Sequence, residues 1–281
     1  MPKPMEPILE VRGLKKSFGG IVTAKELSLA LQPNRITSLV GPNGAGKTTF
    51  FNMVCGFIAP DAGEIVFEST PITGRRPHEI AKLGIGRSFQ DVRVLPRLTV
   101  LDNVLCALPA QPGEGVARAV FRPFSVAKAT RANRNRAREH LEFVKLADLE
   151  ARFAENLSYG QQKRLVMARL LAMNCRLLLL DEPASGLDPT ALDSMLEVIR
   201  ATMAMGKTIC MIEHNLDVVT ALSDWLVFLD QGTLVAEGLP TEILARTDLA
   251  DRYFGSRKVE PTKSVPNTQQ TYGRAHRLIT E

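Results

Sequence analysis

Apolar residues set two rhythms along this chain. Over residues 8–18 and 24–32, and again over Gly63–Phe67, apolar and polar positions alternate, the period-2 pattern of half-buried antiparallel strands. Leu177–Leu180 and Thr208–Ile212 are instead short and continuously apolar, as expected of parallel strands covered on both faces. Residues 36–40 read as a further strand of that kind. Helical patterns are predicted over 47–56, 161–173 and 189–205. Trp225–Leu229 and Thr233–Glu237 flank Asp230-Gln231-Gly232, a hairpin signal. The expectation is an α/β fold with a mainly parallel sheet core and an antiparallel β subdomain at the N-terminal end.

Residues 97–156 break that rhythm. Thr99–Ala107 reads as the start of a helix, a stretch with proline and glycine follows at 109–123, and Ser125–Leu146 is a long Arg-rich helical pattern. An α-helical insert over about 97–156 is predicted. From Gly255 onward the pattern fails: Pro261, Pro266, Asn267, Gln269 and Gln270 come with few large apolar residues. The folded domain is therefore expected over 1–255. Residues 256–281 are expected to be disordered or to dock only on a partner. No internal repeat is visible.

The chemistry begins where the strand 36–40 ends. Gly41-Pro42-Asn43-Gly44-Ala45-Gly46-Lys47-Thr48-Thr49 is a glycine-rich loop opening a helix, the P-loop arrangement G-x-x-x-x-G-K-[ST]. Gly41, Gly44 and Gly46 let the backbone turn its N–H groups toward phosphate oxygens. The helix N-terminus adds partial positive charge. Lys47 supplies a full charge for the β- and γ-phosphates, and the Thr48 hydroxyl is a ligand for Mg²⁺. These residues predict a P-loop NTPase.

Composition narrows the class without changing it. The 281 residues are 45% hydrophobic and 23% charged, enough for an ordinary core. The longest apolar runs, such as Leu226–Leu229, are far too short to span a bilayer, and Met1–Pro7 has no apolar signal stretch, so a cytoplasmic location is the expectation. Cys55, Cys106, Cys175 and Cys210 are widely spaced, and they read as reduced, mostly buried thiols. The formal charge of +5 is concentrated in Arg118–Arg138 and the tail. Without interleaved aromatics it reads as a solvated surface, and no nucleic acid is expected as partner.

Five further elements appear in a fixed order, and with them the chain resembles the ATP-binding-cassette (ABC) ATPases over about residues 8–255. Leu157-Ser158-Tyr159-Gly160-Gln161-Gln162 is similar to that family's signature, and Leu177–Leu180 with Asp181-Glu182-Pro183 to its Walker B strand. Ala184-Ser185-Gly186-Leu187-Asp188 resembles the D-loop, Gln90 the Q-loop glutamine and His214 the switch histidine. The resemblance implies an ABC-ATPase architecture: a RecA-like core carrying the antiparallel β subdomain and the helical insert. It implies ATP and Mg²⁺ as cofactors. Asp181, with Thr48 and Gln90, would hold Mg²⁺. Glu182, expected on the strand's opposite side from Asp181, would act as general base, with Gln90 and His214 sensing water and γ-phosphate. Ser158, Tyr159, Gly160 and Gln161 would act in trans, across a head-to-tail dimer in which two P-loops and two signatures sandwich two ATP molecules. Phe18 stands where the family places an aromatic under adenine, tyrosine being commoner there. Tyr159 replaces the usual glycine of the signature, a subfamily variant that keeps Ser158 and Gly160.

Ser17-Phe18-Gly19-Gly20, Gly84-Ile85-Gly86-Arg87-Ser88-Phe89-Gln90, Leu98–Val104, Tyr159-Gly160-Gln161-Gln162 and Ile212-Glu213-His214-Asn215 are similar to LivG-type ATPases of branched-chain amino-acid importers. Related cassettes serve urea, amide or lipopolysaccharide transport. Implied partners are polytopic membrane permease subunits, docking near Asp91–Pro96, a second copy or a second ABC ATPase, and indirectly a substrate-binding protein. The implied place is the cytoplasmic face of the inner (plasma) membrane, peripherally. ABC ATPases that act on DNA or ribosomes carry very long coiled coils or paired cassettes, and neither is present. A non-hydrolysing regulatory subunit is disfavoured by intact Lys47, Asp181, Glu182 and His214.

Overall fold

A computed structural model of the chain describes residues 6–109 and 123–249. The 256–281 tail and part of the 109–123 stretch lie outside the described residues.

Strands β1 (Leu9–Phe18) and β2 (Ile21–Leu31) pair antiparallel, with Phe18 opposite Ile21. Their tip is Gly19-Gly20, both at positive φ (52° and 87°), the geometry of a two-residue turn that follows the twist of its strands. The second strand thus begins three residues before its expected start, because this turn lets pairing continue to the tip. β3 (Ile36–Val40) runs into the P-loop and helix α1 (Lys47–Val54). β4 (Ala62–Phe67) and the short β5 (Thr70–Pro71) complete a four-stranded antiparallel sheet in the order β2-β1-β4-β5.

The second sheet carries the chemistry. Helix α2 (Pro77–Leu83) precedes β6 (Ile85–Arg87), and α3 (Val100–Leu105) and α4 (Pro123–Phe143) follow as the helical insert. Then come α5 (Tyr159–Ala172), β7 (Leu177–Asp181), α6 (Pro189–Ala204), β8 (Thr208–Ile212), α7 (Leu216–Leu222), β9 (Trp225–Asp230), β10 (Thr233–Gly238) and α8 (Pro240–Leu244). The order across the sheet is β10-β9-β3-β8-β7-β6, parallel except for β10. β9 and β10 turn through Gln231-Gly232, both at positive φ, as the hairpin signal predicts.

Every residue of β3, β7 and β8 is buried. Leu178, Leu180, Ile209 and Met211 enter a core shared with α5, α6 and the insert. Their alternates Leu177, Leu179, Cys210 and Ile212 enter the opposite core with Phe50, Phe51 and the antiparallel sheet. Both faces are covered, which explains the continuous apolar runs. The insert is held by Val100, Val104, Leu141 and Val144, all buried in the first of these cores. Parallel strands that all point the same way deliver the ends of β3, β7 and β8 to one edge, and the site forms there.

Candidate functional site

The P-loop leaves β3 with Gly41, Gly44 and Gly46 all at positive φ (145°, 83° and 97°). Gly46 is the residue preceding α1, and a Cβ there would lie 2.2 Å from the Thr23 carbonyl oxygen. No side chain fits that approach. Turns tie the loop to its neighbours: the Ala45 N–H donates to the Pro42 oxygen (3.2 Å) and the Gly232 N–H to the Ala45 oxygen (3.1 Å). Lys47 is buried, and its ammonium donates to the Gly41 (2.7 Å) and Pro42 (2.9 Å) carbonyls. Burial holds this ammonium below its usual range, while the charges of Glu182 and Asp181 pull the other way. Asn43, Gly44 and Thr48 are exposed on the open side of the loop, and Thr49 is half-buried.

Asp181 ends β7 with its side chain 5% exposed, paired to an equally buried Arg87 at 3.0 Å. Arg87 also donates to Asn52 Oδ1 (2.6 Å) and stacks near Phe51 and Phe89, so β6, α1 and the Q-loop all converge on this carboxylate. The Asp181 N–H donates to Ser88 Oγ (3.0 Å). Thr48, Gln90 and Asp181 offer hydroxyl, amide and carboxylate oxygens. Hard donors with a single carboxylate suit Mg²⁺ that is completed by phosphate and water, so the residues present fit the ion.

Glu182 corrects one expectation. Strand alternation does not aim it, because β7 stops at Asp181 and Glu182 adopts a left-handed backbone, φ 49°. Its N–H donates to the Ile212 oxygen at 3.0 Å. The carboxylate is then shared: Gln90 Nε2 donates to Oε2 at 3.1 Å, and His214 Nε2 lies 3.1 Å from Oε1. Three residues from three separate loops thus meet. Gln90 and His214 are exposed.

The signature residues lie at the start of α5. Ser158 caps α5: its Oγ accepts from the Gln161 N–H (3.3 Å), and Gln161 Oε1 accepts from the Ser158 N–H (2.9 Å). A hydroxyl that caps by accepting keeps its own proton to donate. Gly160 packs against α6, where a Cβ would come 2.7 Å from Ala191 Cβ. Tyr159 is 44% exposed and lies over Gly186 of the D-loop, with the Lys163 ammonium 5.1 Å from its ring centre. Asp188 caps α6 by accepting from the Ala191 N–H at 3.0 Å. Phe18, 44% exposed at the β1–β2 tip, adjoins an open groove lined by Lys16, Ser17, Val22 and Lys25.

Three residues escaped the sequence reading: Arg87, Lys163 and Glu213. Lys163 did leave a signal, since it falls among Gly160, Met167 and Leu170 on the buried stripe of α5. Cys55, Cys175 and Cys210 are buried and Cys106 is exposed, all four as free thiols. Among the described residues no helix is long and apolar enough to cross a membrane.

Comparison with known proteins agrees with this layout. Residues 24–185 match the family described as ABC transporter. The chain is 37% identical over 251 residues to the high-affinity branched-chain amino acid transport ATP-binding protein LivG of Escherichia coli, covering 89% of this chain and 98% of the relative. A solved nucleotide-free ATP-binding cassette from an ABC transporter is similar with a TM-score of 0.76 and 31% identity, covering 89% of this chain and 99% of that one. The dimeric bacterial ABC transporter cassette MJ0796 is similar with a TM-score of 0.68 and 25% identity, covering 83% and 98%. The chain belongs to the ABC transporter family, as one of its ATP-binding subunits.

Proposed function

We propose that this chain binds MgATP on its P-loop and hydrolyses it with Glu182 as general base, driving a membrane permease that imports branched-chain or other hydrophobic amino acids. The observation that carries the reading is the Gln90–Glu182–His214 cluster, with both contacts at 3.1 Å, beside the buried Lys47.

The P-loop N–H groups and the α1 N-terminus hold the phosphates. Lys47 exchanges the Gly41 and Pro42 carbonyls for β- and γ-phosphate oxygens, a stronger charge-assisted pairing. Phe18 stacks on adenine. Thr48, Asp181 and Gln90 would hold Mg²⁺, which would neutralise part of the phosphate charge. Glu182 takes the proton of the attacking water, a role typically contributing about 10²–10⁴ in rate. His214 donates to the γ-phosphate, and Gln90 orients the water.

Ser158 and Tyr159 of the signature are exposed, and the nucleotide of a second cassette is the natural ligand of Ser158–Gln161, so the working state is a homodimer or a pair with a second ABC ATPase. Asp188 sits at the seam between the copies. A polytopic permease at the cytoplasmic face of the inner membrane would receive the Q-loop side near Asp91–Pro96, with a substrate-binding protein delivering cargo to it. The support for amino-acid cargo is the similarity to LivG over 89% of the chain.

The test is MgATP turnover by the purified chain. Glu182→Gln is expected to reduce kcat at least a hundredfold with nucleotide binding retained, while equal turnover in both proteins overturns the reading.

A further inference from the structure

Two buried charges flank the loop that carries Glu182 without facing the nucleotide side. Lys163, on α5, is 7% exposed, and Glu213, after β8, is 2% exposed. The Lys163 ammonium donates to the carbonyl oxygens of Glu182 (2.7 Å), Pro183 (3.3 Å) and Ser185 (2.7 Å). An ammonium has three N–H bonds, and these three acceptors use all of them. From the other pole, Glu213 Oε1 accepts from the Ala184 N–H at 2.9 Å, and Oε2 accepts from the His214 N–H at 3.2 Å. The Asn215 N–H reaches the same carboxylate.

The loop over 182–185 is therefore gripped through its carbonyls by a cation and through an N–H by an anion. Glu182 needs such a grip, because its left-handed φ of 49° is a conformation a residue with a Cβ holds only when the surroundings impose it. Glu213 serves two catalytic elements at once, since the N–H groups it binds belong to the loop of Glu182 and to His214 itself. Lys163 also reaches the Tyr159 ring and stands on the helix that Ser158 caps. Burial disfavours both charges, and each charge in turn favours the other.

We propose that Lys163 and Glu213 are positioning residues that set Glu182 and His214 through the backbone, and that Lys163 ties this geometry to the signature helix. The inference rests on the ATPase reading above. A movement of α5, whose signature serves the partner's nucleotide, shifts the Glu182 carbonyl of its own chain.

The experiment uses the full chain carrying Lys163→Met, Lys163→Arg or Glu213→Gln. It measures kcat and KM for MgATP, the Kd of a fluorescent ATP analogue and the thermal midpoint. Lys163→Met and Glu213→Gln are expected to lower kcat at least tenfold while KM and the analogue Kd stay within twofold, because the P-loop is untouched. Lys163→Arg keeps the charge, but a planar guanidinium does not fit three convergent carbonyls, so it too lowers kcat with binding retained. It reads the same quantity if Lys163→Met does not fold. Folded variants with kcat within twofold of wild type overturn the proposal. So does a loss confined to the thermal midpoint, or one in which the analogue Kd rises as steeply as kcat falls. A wild-type chain without turnover would instead count against the ATPase reading itself.

Discussion

Gly160 shows how a residue can satisfy packing and chemistry at once. It begins α5 against α6, and an added Cβ would sit 2.7 Å from Ala191 Cβ, closer than real carbon contacts. Gly160→Ala therefore forces the signature helix away from the D-loop helix. The expected cost is about 1–3 kcal/mol from overpacking, offset by at most about 1 kcal/mol of helix propensity. Urea unfolding of the full chain measures it, and an unchanged or raised midpoint would contradict the packing account. At this scale the sequence was most legible where chemistry runs in short strings. Lys47, Asp181, Glu182 and Ser158 sit in motifs whose spacing carries the meaning. Arg87 and Glu213 also lie inside short strings, yet their roles and that of Lys163 were not legible, because each acts on backbone or carboxylate that only the folded chain brings near. Their partners are separated by 94, 29 and 19 positions.

Elements with strong periodicity were predicted within a few residues: β3 and β8 at the expected bounds, α5 and α6 nearly so. Those that escaped are short. β6 has three residues, α2 and α7 have seven each, and α8 has five, too few for a period to declare itself. The long helix of the insert, α4, carries a pH-sensitive group. His140 is buried enough, with Lys207 and Arg136 also acting on it, that its imidazole is pushed down to about 4. In the unfolded chain it titrates near its usual value of about 6.5. Between those values the unfolded state binds the extra proton, so stability is full above about pH 6.5 and falls as pH drops toward 4. Urea midpoints taken across pH 7 to 4 are expected to fall less steeply for His140→Gln than for the wild type. Parallel slopes would show that the imidazole is not held neutral.

Across the whole molecule, one chain carries one P-loop and one signature. Lys47 belongs with Glu182 at the ends of β3 and β7, whereas Ser158 is exposed at the start of α5. On the proposed function, a second cassette, whether a copy of this chain or another ABC ATPase, supplies the signature that completes the site. The fold class and the two-subdomain layout could be read from the alternation of strand types. The left-handed turn at Glu182 and the grip on its loop could not, since both arise from contacts between β7, β8 and α5. On this reading, MgATP sandwiched between two cassettes holds them together. Light scattering on Glu182→Gln tests it most directly. With MgATP the mass should double from 30.9 kDa per chain, and it should return to the single-chain value when the nucleotide is removed. A protein that binds ATP yet keeps the single-chain mass, while the wild type still turns over ATP, would contradict the shared site.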